Sequence, residues 1–370
     1  MSDLITPNQK LSTIPIAELR KWDIFTSVDD KLLENIRLAY AFGELGFLVT
    51  TEDIVYSLGS NRQGCLGIGD STVTCSVQPV KVDAVCGQCV IDFSCGGNFE
   101  YTFCFALTAD HRIFAWGRND CGELGIGYSN TTELSPKLVD LGEIKIAKIA
   151  SGFGHSLALT ADTGEVYAFG RNYRGELGLG DRSDRSNPCK VEGLGSAKIM
   201  QISCTAFSSF ALTEFGEVYS WGDSENGQLG ILQVSENTIS TPTKMIIDKP
   251  VKKIANGAAH TLALTTDGQI YACGLNSTGQ LGTGDDVDRS ALTNLGDHWP
   301  IFDDICATTQ TYQSFAKAGN RAYFWGEIIP GESSYTSPTE MVNNMSNFPS
   351  PVTVFNKRQF MHASISVKDK

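Results

Sequence analysis

One block of residues recurs along this chain, and it limits the possible folds more than any other feature. VYSLGSNRQGCLGIGD (55–70), IFAWGRNDCGELGIGY (113–128) and VYAFGRNYRGELGLGD (166–181) are copies of one pattern. VYSWGDSENGQLGI (218–231) and IYACGLNSTGQLGTGDD (270–286) continue it, and AYFWG (322–326) keeps its strand and loses the following loop. The anchoring glycines are Gly59, Gly117, Gly170, Gly222, Gly274 and Gly326, spaced by 58, 53, 52, 52 and 52 residues. A repeat of this length is one supersecondary unit that buries its apolar surface only against its neighbours.

Other features keep the same phase. Each copy is preceded by an apolar run such as CFALT (104–108), SLALT (156–160) or TLALT (261–265), and before that by another, such as VIDFSC (90–95) or VKKIAN (251–256). A proline-led run often follows: QPVKV (78–82), SPKLV (135–139), NPCKV (187–191) and TPTKM (241–245). Runs of about five residues rich in Val, Ile, Leu and aromatics suit strands and are too short for helices. Proline cannot donate to an interior ladder, so its strand is an edge. Asp267-Gly268, like Gly164 and Gly216 at matching positions, marks a tight hairpin, since Asp-Gly supplies the positive φ of primed turns. Four antiparallel strands repeated in this way describe an all-β, seven-bladed β-propeller. Leu66, Leu124, Leu177, Leu229 and Leu281 are expected to plug the space between blades, with helix confined mainly to 29–38.

Three parts are expected: an N-terminal segment 1–34 with a closing strand and a short helix, repeats over 35–326, and a degenerate last blade with a tail over 327–370. A step of 50 residues, close to the repeat length, leads from the SFAK strand (314–317) to SISV (364–367). An open propeller edge invites aggregation. The strand-like segment Asp23–Val28 is therefore expected to pair with the C-terminal strands and close the ring.

Net charge is −13, and no Lys/Arg cluster exceeds two adjacent residues. A phosphate-neutralising surface needs a basic stripe, so direct nucleic-acid binding is not expected. No apolar run reaches the length of a membrane span. MSDLITPNQK lacks the pattern of a secretory signal. With eleven cysteines, an odd number, this reads as reduced thiols in the cytoplasm and/or nucleus. Cys86 and Cys89 form a lone C-x-x-C without the second ligand pair that a zinc site needs.

The pattern at 260–285, HTLALTTDGQIYACGLNSTGQLGTGD, resembles the regulator of chromosome condensation (RCC) repeat family, and the resemblance covers roughly residues 24–326. WDIFTSV (22–28), LLENIRLAYAFG (32–43) and SNRQGCLGIGD (60–70) look like the start of proteins that join these repeats to a BTB domain. There the BTB domain follows the propeller, and Lys370 falls about where it would begin. The expectation is a monomer without that domain, by truncation or by descent. The resemblance implies a substrate-recognition role linked to ubiquitin ligases.

Catalytic signatures are lacking. There is no phosphate-binding loop of P-loop type, and the Gly175, Gly178, Gly180 spacing belongs to the repeat. The acidic string 284–288 lacks the central Gly and terminal Glu of a calcium loop. No enzyme activity and no cofactor or metal are expected. Among the histidines, His155 and His260 share one repeat position, which favours a structural role at the strand start.

Partner binding remains. The loops before the second strands carry Phe99, Tyr101, Phe153, Phe207 and Tyr312, and aromatics are enriched at interface hot spots. With Glu100, His155 and His260 they form the candidate protein-binding set, weighed against the possibility that the rings fill gaps between blades. The rival is guanine-nucleotide exchange on a Ran-like small GTPase. The resemblance implies that exchange factors of the family use an inserted hairpin wedge, with acidic and His side chains in these loops. Here Gly152-Phe153-Gly154 and Gly257-Ala258-Ala259 carry no acids, and only Gly96–Tyr101, with Glu100, has extra residues.

Overall fold

Each repeat closes into one antiparallel sheet. In the computed structural model, which describes residues 13–98, 100–232, 237–307, 312–327, 334–340 and 362–366, the third sheet is typical. Its strands Ile146–Ser151, His155–Thr160, Val166–Gly170 and Arg185–Lys190 are hydrogen-bonded in chain order. Five further sheets repeat that order, and each proline-bearing strand lies fourth, at the outer edge, as its missing N–H requires. The chain is an all-β propeller. Its described residues form six sheets rather than the seven blades expected; a seventh would draw on 341–361 and 367–370, which lie outside the described residues.

The sixth sheet is more complete than its sequence suggests. Ser334–Glu340, carrying Pro338, is its outer strand, so this sheet extends past the expected boundary at 326. His362–Ser366 is a strand that overlaps the SISV run, but it joins the first sheet by pairing antiparallel with Ile36–Phe42, with Ala39 opposite Ile365.

The closing segment is not a strand. Asp23–Phe25 forms a 3-10 turn, between the short helices Ile16–Leu19 and Asp30–Leu33. The second of these falls inside the expected 29–38, but strand begins at Ile36. Leu19, Trp22, Phe25, Val28 and Leu33 pack instead on Ala39, Leu48 and Leu58, the face of the first sheet turned away from the second. Gly46 makes room for them: a Cβ there would lie 2.9 Å from Phe25 Cε1. The segment covers a face by side-chain packing and leaves the strand edge to the C-terminus.

Packing between sheets explains why second strands are apolar throughout. His155–Thr160 is buried at every position because its sheet lies between two others, and Leu45–Thr50 because its sheet lies between the second sheet and the N-terminal segment. Leu66, Leu124, Leu177, Leu229 and Leu281 are wholly buried, as expected of inter-blade plugs. The turn at Asp267-Gly268 differs from the expectation. Only Gly268 has positive φ (82°), and Gly268 N–H donates to Thr265 O at 3.0 Å. This is a three-residue loop with the left-handed residue last. The Asp267 carboxylate instead accepts from the Thr265 hydroxyl and from Lys249 Nζ.

Candidate functional site

Strand alternation sets where the loops meet. Connections between the first and second strands, and between the third and fourth, emerge at one end of each sheet. The aromatic loops and the G-x-L-G-x-G loops therefore share an end of the propeller.

That end is held by an asparagine in the strand-to-loop step. The Asn172 side-chain oxygen accepts from Leu177 N–H at 2.9 Å, and its amide donates to Asp181 O at 3.0 Å. Asn61, Asn119 and Asn276 repeat both bonds. Each asparagine ties the plugging leucine to the far side of its loop, so the loop is rigid without being part of a ladder. The repeat carries this residue in four copies, but spacing alone does not reveal its role.

Against this frame the aromatic candidates divide. Phe153 and Phe207 meet edge to face, with ring centroids 5.5 Å apart. Both line a cavity of about 430 Å³ with Tyr312, Asn98, Ala258 and Ala259. The third, fourth and sixth sheets thus place aromatic rings around one opening, and the fifth contributes only Ala258 and Ala259. Tyr101 is 41% exposed and lies beneath Arg118, whose guanidinium is 4.6 Å from the ring centroid. Glu100 is exposed at the tip of a hairpin that joins Val90–Gly97 to Thr102–Thr108. Asn98 caps that tip by accepting from the Glu100 and Tyr101 N–H groups, each at 3.0 Å. Phe99 lies outside the described residues.

His155 and His260 are not on this face. Both are wholly buried, with Nε2 3.0 Å from Ser209 Oγ and 2.8 Å from Ser314 Oγ, in each case one sheet onward. Burial lowers both imidazoles to about 3, with Arg171 adding to the effect on His155. They are neutral packing groups with no access to a partner. Their rings explain the preceding glycines, since a Cβ on Gly152 would lie 2.3 Å from His155 Cε1.

The arginines around the cavity escaped notice in the sequence. Arg174 lines it and reaches Asp223 at 3.2 Å and Glu225 at 3.6 Å. Arg171 stacks over Phe207 at 5.1 Å and over Tyr173 at 5.7 Å. Beneath the face lie two carboxylates from the G-E-L-G step, Glu123 and Glu176. Desolvation raises both, Glu176 to about 7. The available signal was the Arg that follows the anchoring glycine in the second and third copies, where the fourth has Asp223.

Among the described residues, no group of three or more His, Cys, Asp or Glu side chains is placed to hold a metal. Cys86 is half-buried and bonds to main-chain carbonyls, while Cys89 is exposed in a left-handed conformation. Asp285 pairs with Arg289 at 2.6 Å, and Asp288 accepts from Asn276 N–H, so both acids brace their own loop. No described helix is long and apolar enough to cross a membrane.

Residues 54–368 match the model of the RCC1-like domain. The ultraviolet-B receptor UVR8 of Arabidopsis thaliana is 33% identical over 280 residues, covering 75% of this chain and 62% of the receptor. The probable E3 ubiquitin-protein ligase HERC3 of Homo sapiens is 36% identical over 214 residues, 57% of this chain but 20% of the ligase. The chain thus spans less than two thirds of either relative. Among solved structures, Prp20p of Saccharomyces cerevisiae aligns with a TM-score of 0.68 and 23% identity, over 88% of this chain and 80% of that one. Human WBSCR16 aligns with a TM-score of 0.69 and 21% identity, over 82% and 81%. At these identities the two structures speak for the fold.

Proposed function

Because this chain belongs to the RCC1-like domain family, we propose that it is a non-enzymatic protein-binding propeller, an adaptor or substrate-recognition scaffold whose contact face is the aromatic loop end. The observation that carries this reading is the convergence of Phe153, Phe207 and Tyr312 on one open cavity. Rings with few rotatable bonds, held on rigid loops, lose little entropy on binding. A link to ubiquitin ligases is supported by the BTB-type features of residues 22–70 and by the ligase named among the relatives. Cytoplasmic or nuclear residence fits such a role.

The test is capture of native partners by proximity labelling, comparing the parent with a Phe153→Ala/Tyr312→Ala variant. Loss of partners with a nearly unchanged melting temperature is the expected result. A large fall in melting temperature would mean that the rings fill core, and the face would be withdrawn.

Nucleotide exchange is the second reading, favoured by the hairpin with its tip at Asn98–Tyr101 and by a neighbour studied for binding to Gsp1p. That tip spans only four residues, and Glu100 is its one acid. No acceleration of nucleotide release from a Ran-like GTPase is expected; strong acceleration at sub-stoichiometric protein would favour exchange.

A further inference from the structure

Lysine, unlike arginine, is missing from one end of the propeller. The loops at the cavity end (59–75, 97–102, 117–131, 152–155, 170–185, 204–208, 222–238, 256–260 and 274–289) contain seven arginines and no lysine. Lys81, Lys145, Lys190, Lys198 and Lys249 lie at the opposite end, beside the turns between second and third strands or at the outer strands' far ends. Ammonium groups hold their water tightly and are depleted in interfaces, whereas guanidinium is weakly hydrated and enriched there. This segregation marks the cavity end as the one suited to lose its solvent.

Two of these arginines, Arg62 and Arg171, differ from the rest in donating no side-chain hydrogen bond among the described residues, and Arg62 is exposed. Arg118 donates to Asp120 at 2.7 Å, Arg174 reaches Asp223 at 3.2 Å, and Arg185 pairs with Asp181 at 2.5 Å. The Arg171 guanidinium donates no hydrogen bond among the described residues. Its nearest carboxylate oxygen is Glu176 Oε1, 3.8 Å from Nε and itself without a hydrogen bond. Burial raises that carboxyl to about 7, so near neutral pH it supplies only part of a counter-charge.

Arg171 is nevertheless well held. Its stem lies against Gly154, where an added Cβ would come within 3.3 Å of Arg171 Cβ and Cδ, and the Phe207 and Tyr173 rings flank its head. It opens into a groove of about 500 Å³ lined by Cys121, Arg171, Tyr173, Arg182 and Asp184. Burial raises the Cys121 thiol to about 11, so it adds no negative charge. The lining carries two arginines against one aspartate in a chain of net charge −13. Tyr173, at 67% exposure, offers an uncovered ring beside them.

We propose that this groove receives one Asp or Glu side chain from a segment of a partner protein, with the carboxylate taking the open fork of Arg171 and an adjoining apolar side chain covering Tyr173. A planar guanidinium with free terminal N–H groups matches a carboxylate in two parallel bonds. A fork already fixed by its neighbours loses little freedom in doing so. Asp184 lines the same groove as Arg171 and Arg182. The geometry therefore selects an isolated acid beside an apolar residue, and it disfavours an acidic run. The assignment rests on the reading of this end as the partner-binding face.

The test uses the full chain, following arginine Nε–Hε signals by NMR. Acetyl-Gly-Leu-Glu-Leu-Gly-amide is titrated beside its Gln and phosphoserine counterparts. The Glu peptide is expected to shift the Arg171 signal saturably, with the Gln peptide weaker by about tenfold or more, as loss of a charge-assisted bond implies. Arg171→Gln abolishes the response and Arg118→Gln leaves it, both at the parent's melting temperature. Equal binding of the Gln peptide overturns the proposal. So does a phosphoserine peptide binding more than about tenfold tighter, which would make the site a phosphate site. Self-association of the parent that is lost in Arg171→Gln also overturns it, because the occupant would then be a second copy. If the Glu peptide fails while the Phe153→Ala/Tyr312→Ala variant still loses its native partners, the binding face stands and only the Arg171 assignment falls.

Discussion

Trp221 donates its indole N–H to the main-chain carbonyl of Glu176 at 2.9 Å, reaching from the fourth sheet to the loop of the third. Trp116 does the same to Cys65 and Trp325 to Gln280, each at 2.9 Å. The Glu176 carbonyl also accepts from the Ser209 hydroxyl at 2.7 Å, and His155 Nε2 lies 3.0 Å from the same Ser209 Oγ. A wholly buried carbonyl at the step before the plugging leucine is thus satisfied by the next blade. The first and second, third and fourth, and fifth and sixth sheets are locked together in this way, through groups that would be costly to leave unpaired.

The lock depends on a glycine. A Cβ on Gly178 would lie 2.7 Å from Trp221 Nε1, whereas on Gly180 it would meet nothing nearer than 3.9 Å. Both have positive φ, +71° and +83°, so alanine at either adds backbone strain of about 1–3 kcal/mol. Overpacking against the indole adds about 1–3 kcal/mol more at Gly178 only. Gly178→Ala is expected to lower the urea midpoint well beyond Gly180→Ala; equal losses would show that the indole yields without cost.

The buried histidines make the fold acid-sensitive. Their folded values, near 3, lie below the ordinary value of about 6.5. Below about pH 6.5 the unfolded chain binds protons that the folded chain refuses, so stability falls as pH drops toward 3. Each histidine contributes up to about 1.4 kcal/mol per pH unit in that window. His155→Gln/His260→Gln should flatten urea stability between pH 7 and 5. An unchanged slope would mean that the sensitivity arises elsewhere.

Glu176 acts with the opposite sign. Its folded value, about 7, is raised above the ordinary carboxyl value, so the folded chain holds a proton that the unfolded chain has lost. That costs stability increasingly as pH rises from about 4.3 to 7. Gln228 and Gln280 occupy the same repeat position and accept the same local N–H, at 3.0 Å and 2.9 Å. Glu176→Gln is therefore expected to stabilise at pH 8 by roughly 1–2 kcal/mol and to have little effect at pH 5. Denaturation at the two pH values decides it; destabilisation at pH 8 would show that the Arg171 pairing outweighs the desolvation.

The N-terminal segment predicts a folding defect of a particular kind. Removing residues 1–28 strips Leu19, Trp22 and Phe25 from Ala39, Leu48 and Leu58. An exposed apolar face of that size promotes association. The truncated chain should melt lower, bind a hydrophobic dye and aggregate. A monomer that melts like the parent would show that the first sheet needs no cover.

The sequence by itself determined the repeating unit: strand number, strand order, the proline edge and the leucine plugs. Those features follow from local periodicity, and local rules place them. The fate of Asp23–Val28 escaped that reading because an apolar run looks alike whether it pairs as a strand or packs as a 3-10 turn, and the choice lies with a distant sheet face. At the site, spacing put Phe153, Phe207 and Tyr312 on equivalent loops, and strand alternation turned those loops to one end. Only tertiary packing buried His155 and His260 while leaving Phe153 and Tyr312 at an opening, because exposure depends on the neighbouring blade. Arg171 belongs to the tertiary structure entirely: its unspent fork results from which rings and carboxyls approach it from elsewhere in the fold, and no spacing in the chain records those distances.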